Sequence, residues 1–298
     1  MYPLAILIGG PTAAKKTELA FEIQSKIPSV IINSDSMQVY SDLRSLTNIP
    51  SKHEMTQHSC NLFEFINYPT KCDVGHWLNC VKRVLSDTKN KIPIFVGGTG
   101  LYLESLQKTI SPIPRIPLAV TNKIQLLHNK YGNRYFYKKL QGFDIEYSKK
   151  ISENDTQRLF RAICVKIVTG KNLSYWHSIK SKKIFRRIFY VTISNDRDEL
   201  YKSINQRCLK ILKSTAIQEV HEFLKKRQPI NHPLHKSIGF KIIEDYINNK
   251  RSFEDSLEVF KQETRRYAKR QITWFKNRAK DSKKMKFEEA KKYLLKNI

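Results

Sequence analysis

A glycine-containing segment near the N-terminus has the residue types of a phosphate-binding loop. Residues 10–17 are Gly-Pro-Thr-Ala-Ala-Lys-Lys-Thr, after an apolar run and before a helical pattern. In that setting backbone N–H groups and the helix N-terminus face an anion. Lys16 can reach phosphate oxygens, and the hydroxyl of Thr17 can bind Mg²⁺. The segment indicates a phosphate site, and an ordinary strand–turn–helix junction is the alternative.

One position departs from the pattern G-x-x-x-x-G-K-[ST], which requires glycine immediately before the lysine. This chain has Lys15 there. A side chain is expected to crowd the tight turn, whereas an additional cation would suit a phosphate. Both possibilities are open from the sequence.

Two other polar segments also follow apolar runs. Asp35 lies in residues 33–40, Asn-Ser-Asp-Ser-Met-Gln-Val-Tyr. Its carboxylate can serve as a general base or as an outer-sphere partner of magnesium, with a surface-turn aspartate as the alternative. Gln38 can hydrogen-bond the edge of an adenine. The third segment, residues 97–102 (Gly-Gly-Thr-Gly-Leu-Tyr), can bring backbone close to a ligand.

The elements that must position these residues alternate between strand and helix. Apolar runs at 3–9, 30–32, 92–96 and 188–193 are separated by helical patterns. This alternation predicts an α/β core with a parallel sheet. Sites in such sheets lie beyond the carboxyl ends of the strands, where the three polar segments fall.

A helical insertion is predicted within this core. Three prolines in residues 111–117 break the pattern, and helical stretches follow at 118–130 and 155–169. We therefore predict a helical domain over 112–183, inserted into a core formed by 1–111 and 184–298. Asn154 and Gln157 are expected to form a capping box, with Gly170 at the C-cap.

Charge indicates the class of partner. The chain has 54 Lys and Arg against 27 Asp and Glu, a net charge of +27, and residues 261–298 hold fourteen basic against four acidic residues. The field favours a polyanion. The basic helix expected at 253–280 would attract backbone phosphates. Arg158 and Arg161 share one helix face and are candidates for phosphate or RNA contact, with a solvated face as the alternative.

The same composition argues against other classes. No apolar run approaches the roughly 20 residues of a transmembrane helix, and no signal-peptide pattern is present. The five cysteines form no C-x-x-C pair. We expect a cytoplasmic, monomeric protein with free thiols, no membrane association and no zinc site.

Seven segments in order resemble the tRNA dimethylallyltransferase (tRNA isopentenyltransferase) family. They are GPTAAKKT (10–17), DSMQVY (35–40), GGTGLY (97–102), NDTQRLFRA (154–162), INQR (204–207) with Glu219-Val220, IGFK (238–241) and TRRYAKRQITWF (264–275). The resemblance implies a P-loop-type parallel sheet core flanked by helices, with an all-helical insertion that contacts tRNA. It also implies transfer of a dimethylallyl group from dimethylallyl diphosphate to N6 of the adenosine 3′-adjacent to the anticodon. Diphosphate is released, and Mg²⁺ assists.

The resemblance also implies residue roles. Asp35 would be the base, Thr17 would orient magnesium and diphosphate, and Lys16 with Arg207 would stabilise the leaving group. The diphosphate would lie on Gly10, Pro11, Thr12, Ala13, Ala14, Lys15, Lys16 and Thr17. The tRNA anticodon stem-loop would contact Asp35, Ser36, Met37, Gln38, Thr99, Thr121, Gln157, Arg158, Leu159, Phe160, Arg161, Ile238, Gly239, Phe240 and Lys241.

Two further positions depart from the family pattern. Ser34 stands where the family usually has alanine, and residues 46–50 (Leu-Thr-Asn-Ile-Pro) replace a segment that usually contains a lysine. Three alternative functions remain: a P-loop kinase or ATPase, a prenyltransferase acting on free adenine nucleotides, and a non-catalytic tRNA-binding relative with a degenerate phosphate loop.

Overall fold

The chain divides into two compact units. The computed structural model describes residues 1–108, 111–179, 183–226 and 232–298. The first unit comprises Met1–Lys108 and Ile184–Ile298, and the second comprises Thr109–Lys183.

The first unit is built on a six-stranded parallel sheet. Its strands, in chain order, are β1 (Tyr2–Gly9), β2 (Ser29–Asn33), β3 (Cys60–Asn61), β4 (Ile92–Val96), β5 (Phe185–Ile193) and β6 (Lys283–Met285). The spatial order is β3-β2-β4-β1-β5-β6. The first strand is central, so Ile6 lies opposite Ile94 of β4 and Phe189 of β5.

Helices complete both units. In chain order they are α1 (Lys16–Gln24), α2 (Lys52–Gln57), α3 (Val74–Asp87), α4 (Gly100–Gln107), α5 (Leu118–Phe143), α6 (Ile145–Ser148), α7 (Thr156–Thr169), α8 (Leu173–Ser178), α9 (Arg197–Leu212), α10 (Ala216–Lys225), α11 (Phe240–Ile247), α12 (Phe253–Arg278) and α13 (Phe287–Asn297), with a 3₁₀ turn at Pro233–Lys236.

The central strands form because nearly continuous apolar sequence suits a sheet covered on both faces. Residues 5–8 of β1 are wholly buried, and every residue of β2 is buried. The α/β class predicted from the alternating pattern is therefore confirmed. The short strand β6 and helix α13 were not predicted, because the sequence of β6 is Lys-Lys-Met and carries no apolar signal.

The second unit has its own core. Leu140 of α5 packs with Leu159 and Val165 of α7, and all three are fully buried. Within α5, Gly132 has φ 70° and ψ −178°, which interrupts the helix with a kink. The expected capping box at Asn154 is wrong, since α7 is capped by the next residue.

That cap is Asp155, whose carboxylate accepts a hydrogen bond from the Arg158 amide at 3.1 Å. Gly170 takes the expected left-handed conformation, φ 68°, at the C-cap. In the described ranges no helix is both long and apolar enough to cross a membrane.

Candidate active site

Three loops meet at the carboxyl edge of the sheet. Residues 10–15 follow β1, residues 34–40 follow β2, and residues 97–99 follow β4. These strands are consecutive in the sheet, in the order β2-β4-β1. The amide of Thr99 donates to the carbonyl of Ser34 at 3.2 Å, which joins two of the loops directly.

Gly97 is required where these loops touch. A Cβ at this position would lie 2.2 Å from the carbonyl carbon and oxygen of Ser34 and 2.7 Å from the amide nitrogen of Asp35. Any side chain would force apart the β2 and β4 loops, so glycine permits the backbone approach that positions Asp35.

Lys15 occupies a strained backbone position. It is the N-cap residue of α1 with φ 57° and ψ 26°, in the left-handed region. That conformation costs a residue with a side chain about 1–2 kcal/mol relative to glycine. Its exposed ammonium lies 3.6 Å from Glu18, also exposed. Lys15 therefore adopts a backbone conformation that would be less strained for glycine. Its charged side chain lies at the surface.

Lys16 points inward. Its ammonium donates to the carbonyl of Pro11 at 2.6 Å, within the same loop. Burial lowers the pKa of Lys16 to about 8; the negative charge of Asp35 opposes this shift, and the positive charge of Arg207 adds to it. The Lys16 ammonium is therefore close enough to the Asp35 carboxylate and to the Arg207 guanidinium for both charges to affect it.

Arg207 reaches the site from α9. Burial lowers the pKa of its guanidinium, and the nearby charge of Asp35 counteracts that effect. Two partly buried cations thus lie within electrostatic reach of a single carboxylate. Such a site has excess positive charge and favours an anionic ligand.

Asp35 is held by a short network. Its amide donates to Oδ1 of Asn33 at 2.8 Å, and its own Oδ1 accepts from the amide of Met37 at 3.0 Å. Oγ1 of Thr99 accepts from the amide of Ser36 at 2.9 Å. The half-exposed carboxylate is therefore oriented by the backbone on one oxygen.

Gln38 has a fixed amide orientation. Its Nε2 donates to the carbonyls of Thr47 and Asn48, at 3.0 and 2.9 Å. Because both partners are acceptors, the nitrogen must face them and Oε1 is the atom left to meet a ligand. An acceptor is the group that can pair with an exocyclic amine of adenine.

The loop that Gln38 contacts, residues 45–48, is hydrogen-bonded to a side chain of α10. The carboxylate of Glu219 accepts from the amide of Ser45 at 2.8 Å and from the amide of Leu46 at 3.3 Å. Glu219 therefore has a structural role in shaping this side of the site.

Two residues of α12 belong to the site although sequence reasoning did not select them individually. Burial raises the pKa of Tyr267, and the charge of Asp35 adds to the increase. Gln271 is 5% exposed and contacts both the phosphate loop and the β4 loop. The available signal was helical spacing, because Thr264, Ala268, Gln271 and Phe275 form a buried stripe that contains polar side chains.

The residues of the second unit that were expected to face tRNA differ in their exposure to solvent. Gln157, Arg158 and Arg161 of α7 are exposed, and Phe160 is half-buried. Leu159 is fully buried, so we assign its side chain to the helical core rather than to RNA contact. Thr121 of α5 is half-buried.

The hydroxyl of Thr121 donates to the carbonyl of Pro117 at 3.2 Å.

Residues 238–241 of the first unit also differ in their exposure to solvent. Lys241 is exposed and pairs with Glu244 at 2.9 Å, whereas Phe240 is 2% exposed and packs in the core. The side chain of Phe240 is therefore also excluded from RNA contact.

A magnesium ion would find few protein ligands here. In the described part of the chain, no group of three or more His, Cys, Asp or Glu side chains is arranged to hold a metal. Thr17, half-buried at the start of α1, offers a hydroxyl beside the phosphate loop. One protein oxygen with substrate phosphates suits Mg²⁺, which usually keeps several waters. The five cysteines are free thiols.

Comparison with known proteins gives consistent matches. The model of the IPP transferase family matches residues 38–278. A tRNA dimethylallyltransferase of Pelagibacter ubique (strain HTCC1062) is 39% identical over 277 residues, which cover 92% of this chain and 88% of that protein. One from Bartonella henselae is 39% identical and covers 91% and 94%.

Solved structures match as well. The tRNA delta(2)-isopentenylpyrophosphate transferase of Staphylococcus epidermidis has 29% identity and a TM-score of 0.65, covering 96% of this chain and 94% of that chain. A eukaryotic dimethylallyltransferase acting on tRNA has a TM-score of 0.82 at 24% identity, covering 96% and 74%. The latter likeness supports the fold alone.

Proposed function

Because the chain belongs to the IPP transferase family, we propose that it transfers a dimethylallyl group from dimethylallyl diphosphate to N6 of an adenosine in tRNA. The adenosine proposed is the one 3′-adjacent to the anticodon. The observation that carries the proposal is the convergence of Asp35, Lys16 and Arg207 at one edge of the sheet. This combination supplies a base and two cations at one place.

The proposed reaction forms a bond between adenine N6 and C1 of the dimethylallyl group and breaks the bond between C1 and the diphosphate oxygen. An aromatic amine is a weak nucleophile, so alignment with C1 and charge stabilisation of the departing diphosphate carry most of the catalysis. Asp35 would accept the N6 proton. Lys16 and Arg207 would neutralise the charge that develops on the leaving group.

The phosphate loop would bind the diphosphate of the prenyl donor. Thr17 would hold Mg²⁺ at this loop, where the ion would neutralise part of the charge on the diphosphate. The surface location of the Lys15 ammonium supports Lys16 as the cation that would contact the diphosphate.

The adenine would lie against residues 36–38, with Oε1 of Gln38 as an acceptor for its amine. An anticodon loop suits this arrangement because an unpaired base leaves its stack at low cost. Exposed Gln157, Arg158, Arg161 and Lys241 would contact RNA, with Thr99 and Thr121 as further candidates. The monomeric state stays a prediction that light scattering can test.

The decisive experiment incubates the protein with unmodified tRNA, Mg²⁺ and dimethylallyl diphosphate, followed by nucleoside mass spectrometry. We expect N6-dimethylallyladenosine, and its position is then mapped by nuclease digestion. Bound tRNA with no product would support the non-catalytic binder instead. A parallel reaction with ATP tests the kinase alternative, in which phosphate transfer or ATP hydrolysis would appear without prenylation.

A further inference from the structure

The side chain of Gln271 joins two of the three loops that form the site. Its Oε1 accepts from the amide of Thr12 in the phosphate loop at 2.8 Å. Its Nε2 donates to the carbonyl of Gly98 in the β4 loop at 3.0 Å. Since one partner is a donor and the other an acceptor, the amide orientation is determined by chemistry.

Gln271 is closely enclosed at this position. A Cβ on Gly98 would lie 2.2 Å from Nε2 of Gln271 and 3.4 Å from Oδ2 of Asp35. The glycine therefore leaves room for the amide, and the same small volume borders the carboxylate. The side chain of Gln271, which is 5% exposed, thus connects the phosphate loop to the β4 loop beside Asp35.

This placement differs from the role suggested by the basic sequence around Gln271. Lys269, Arg270 and Lys276 of α12 are exposed, as a polyanion-binding surface requires, whereas Gln271 faces the opposite way, into the sheet edge. One helix thus presents cations to solvent and a neutral amide to the loops.

We propose that Gln271 is a positioning residue, which sets the placement of the phosphate loop relative to the β4 loop and Asp35. The proposal rests on the proposed function, in which the first loop holds the prenyl donor and Asp35 meets the adenine amine. Prenyl transfer requires donor carbon and amine in line, and a misplacement of about 1 Å can reduce a rate roughly a hundredfold.

Two variants test this role. Gln271→Met keeps the length and volume but makes neither hydrogen bond, and Gln271→Asn keeps the amide but is one methylene too short to span both loops. We expect kcat to fall at least about tenfold in both, while KM for the donor and for tRNA changes less than about threefold. The matched control is Ser256→Ala, which removes the hydrogen bond that the hydroxyl of buried Ser256 donates in the same helix, about 22 Å from Gln271.

Unchanged kcat in Gln271→Met would overturn the proposal. It would also be overturned if the fall in kcat matched the loss of folded protein in the Gln271 variants, as it is expected to do in the Ser256→Ala control. A second readout needs no activity. Hydrogen exchange of the peptide containing residues 10–17 should be faster in Gln271→Met, because the Thr12 amide loses its acceptor, and should be unchanged in Ser256→Ala.

The two proposals fail in distinguishable ways. If wild-type protein forms no prenylated nucleoside, the proposed function fails and the exchange experiment still reports on the link between the loops. If wild-type protein is active and both Gln271 variants retain its kcat, the positioning role alone fails.

Discussion

The ammonium of Lys16 and the carbonyl oxygen of Pro11 are 2.6 Å apart and form a hydrogen bond across the turn of the phosphate loop. The lysine thereby satisfies a carbonyl of its own loop and remains beside the space assigned to the diphosphate. Its neighbour Lys15 turns to the surface. Adjacent residues of identical type therefore have opposite roles.

Diphosphate binding is expected to weaken as the pH rises through about 8. Burial lowers the pKa of Lys16 to about 8, so the free protein carries this charge below that pH and loses it above. A bound anion favours the charged form and raises the pKa, so binding above pH 8 requires uptake of a proton. Calorimetry with Mg²⁺ and pyrophosphate should show affinity about tenfold lower at pH 9 than at pH 7.

The control for this measurement is Lys16→Arg, because guanidinium stays charged across the same range. Any pH dependence that remains in Lys16→Arg belongs to the ligand or to other groups. Identical pH dependence in both proteins would show that Lys16 is not the titrating group.

Asp35→Asn should reduce turnover roughly a hundredfold or more, because it removes the proposed base. The asparagine oxygen can still accept from the Met37 amide, so the turn should persist. Single-turnover prenylation measures the rate, and filter binding should show tRNA affinity within about threefold of wild type.

Asp73→Asn provides the matched control, since Asp73 also accepts a backbone hydrogen bond, from the His76 amide at 2.8 Å. Near-normal turnover in Asp35→Asn would remove Asp35 from the role of base. A loss of tRNA binding as large as the loss of turnover would instead assign it to RNA recognition.

Lys15→Gly should stabilise the protein by about 1 kcal/mol, because glycine adopts the left-handed conformation without the steric cost paid by a lysine. Urea unfolding gives the free energy, and diphosphate affinity is expected to be equal or higher. Lys15→Ala separates the two effects, since it removes the charge but keeps the Cβ. If both variants bound pyrophosphate more weakly, the Lys15 ammonium would serve the site after all.

Ser34→Ala should also stabilise the protein, by about 1 kcal/mol. Oγ of Ser34 is buried with no hydrogen-bond partner among the described residues, so its desolvation is uncompensated. The comparison variant is Ser105→Ala, since the buried Ser105 hydroxyl donates to the Tyr102 carbonyl at 2.6 Å. Urea unfolding should rank Ser34→Ala above wild type and Ser105→Ala below it, and the reverse order would contradict the assignment.

The central sheet could be predicted because its strands contain nearly continuous apolar runs. Residues 92–96 were expected as a strand and form β4 with those bounds. Residues 188–193 were expected as a strand, and β5 begins three residues earlier, at Phe185. The apolar pattern did not indicate this earlier start, because Arg186 and Arg187 are charged residues exposed on the strand.

The C-terminal edge of the sheet could not be predicted in the same way. The three residues of β6 pair with residues 191–193 of β5. Lysine is common on edge strands, where one side of the strand faces solvent. The pairing of β6 depends on a strand about ninety residues away in the chain, and no local sequence pattern indicates that partner.

Local residue types and spacing determined which segments of this protein carry chemistry, because a phosphate loop, an acidic turn and a glycine-rich loop each have a short signature after an apolar strand. Only the tertiary structure decided which side chains face the site. Lys16 and Lys15 are adjacent, yet the backbone turn sends one inward and the other to solvent. Gln271 lies in a strongly basic sequence, yet helix packing directs its amide between two loops. Side-chain direction depends on backbone dihedral angles and on contacts between distant residues, and neither is contained in a local sequence pattern.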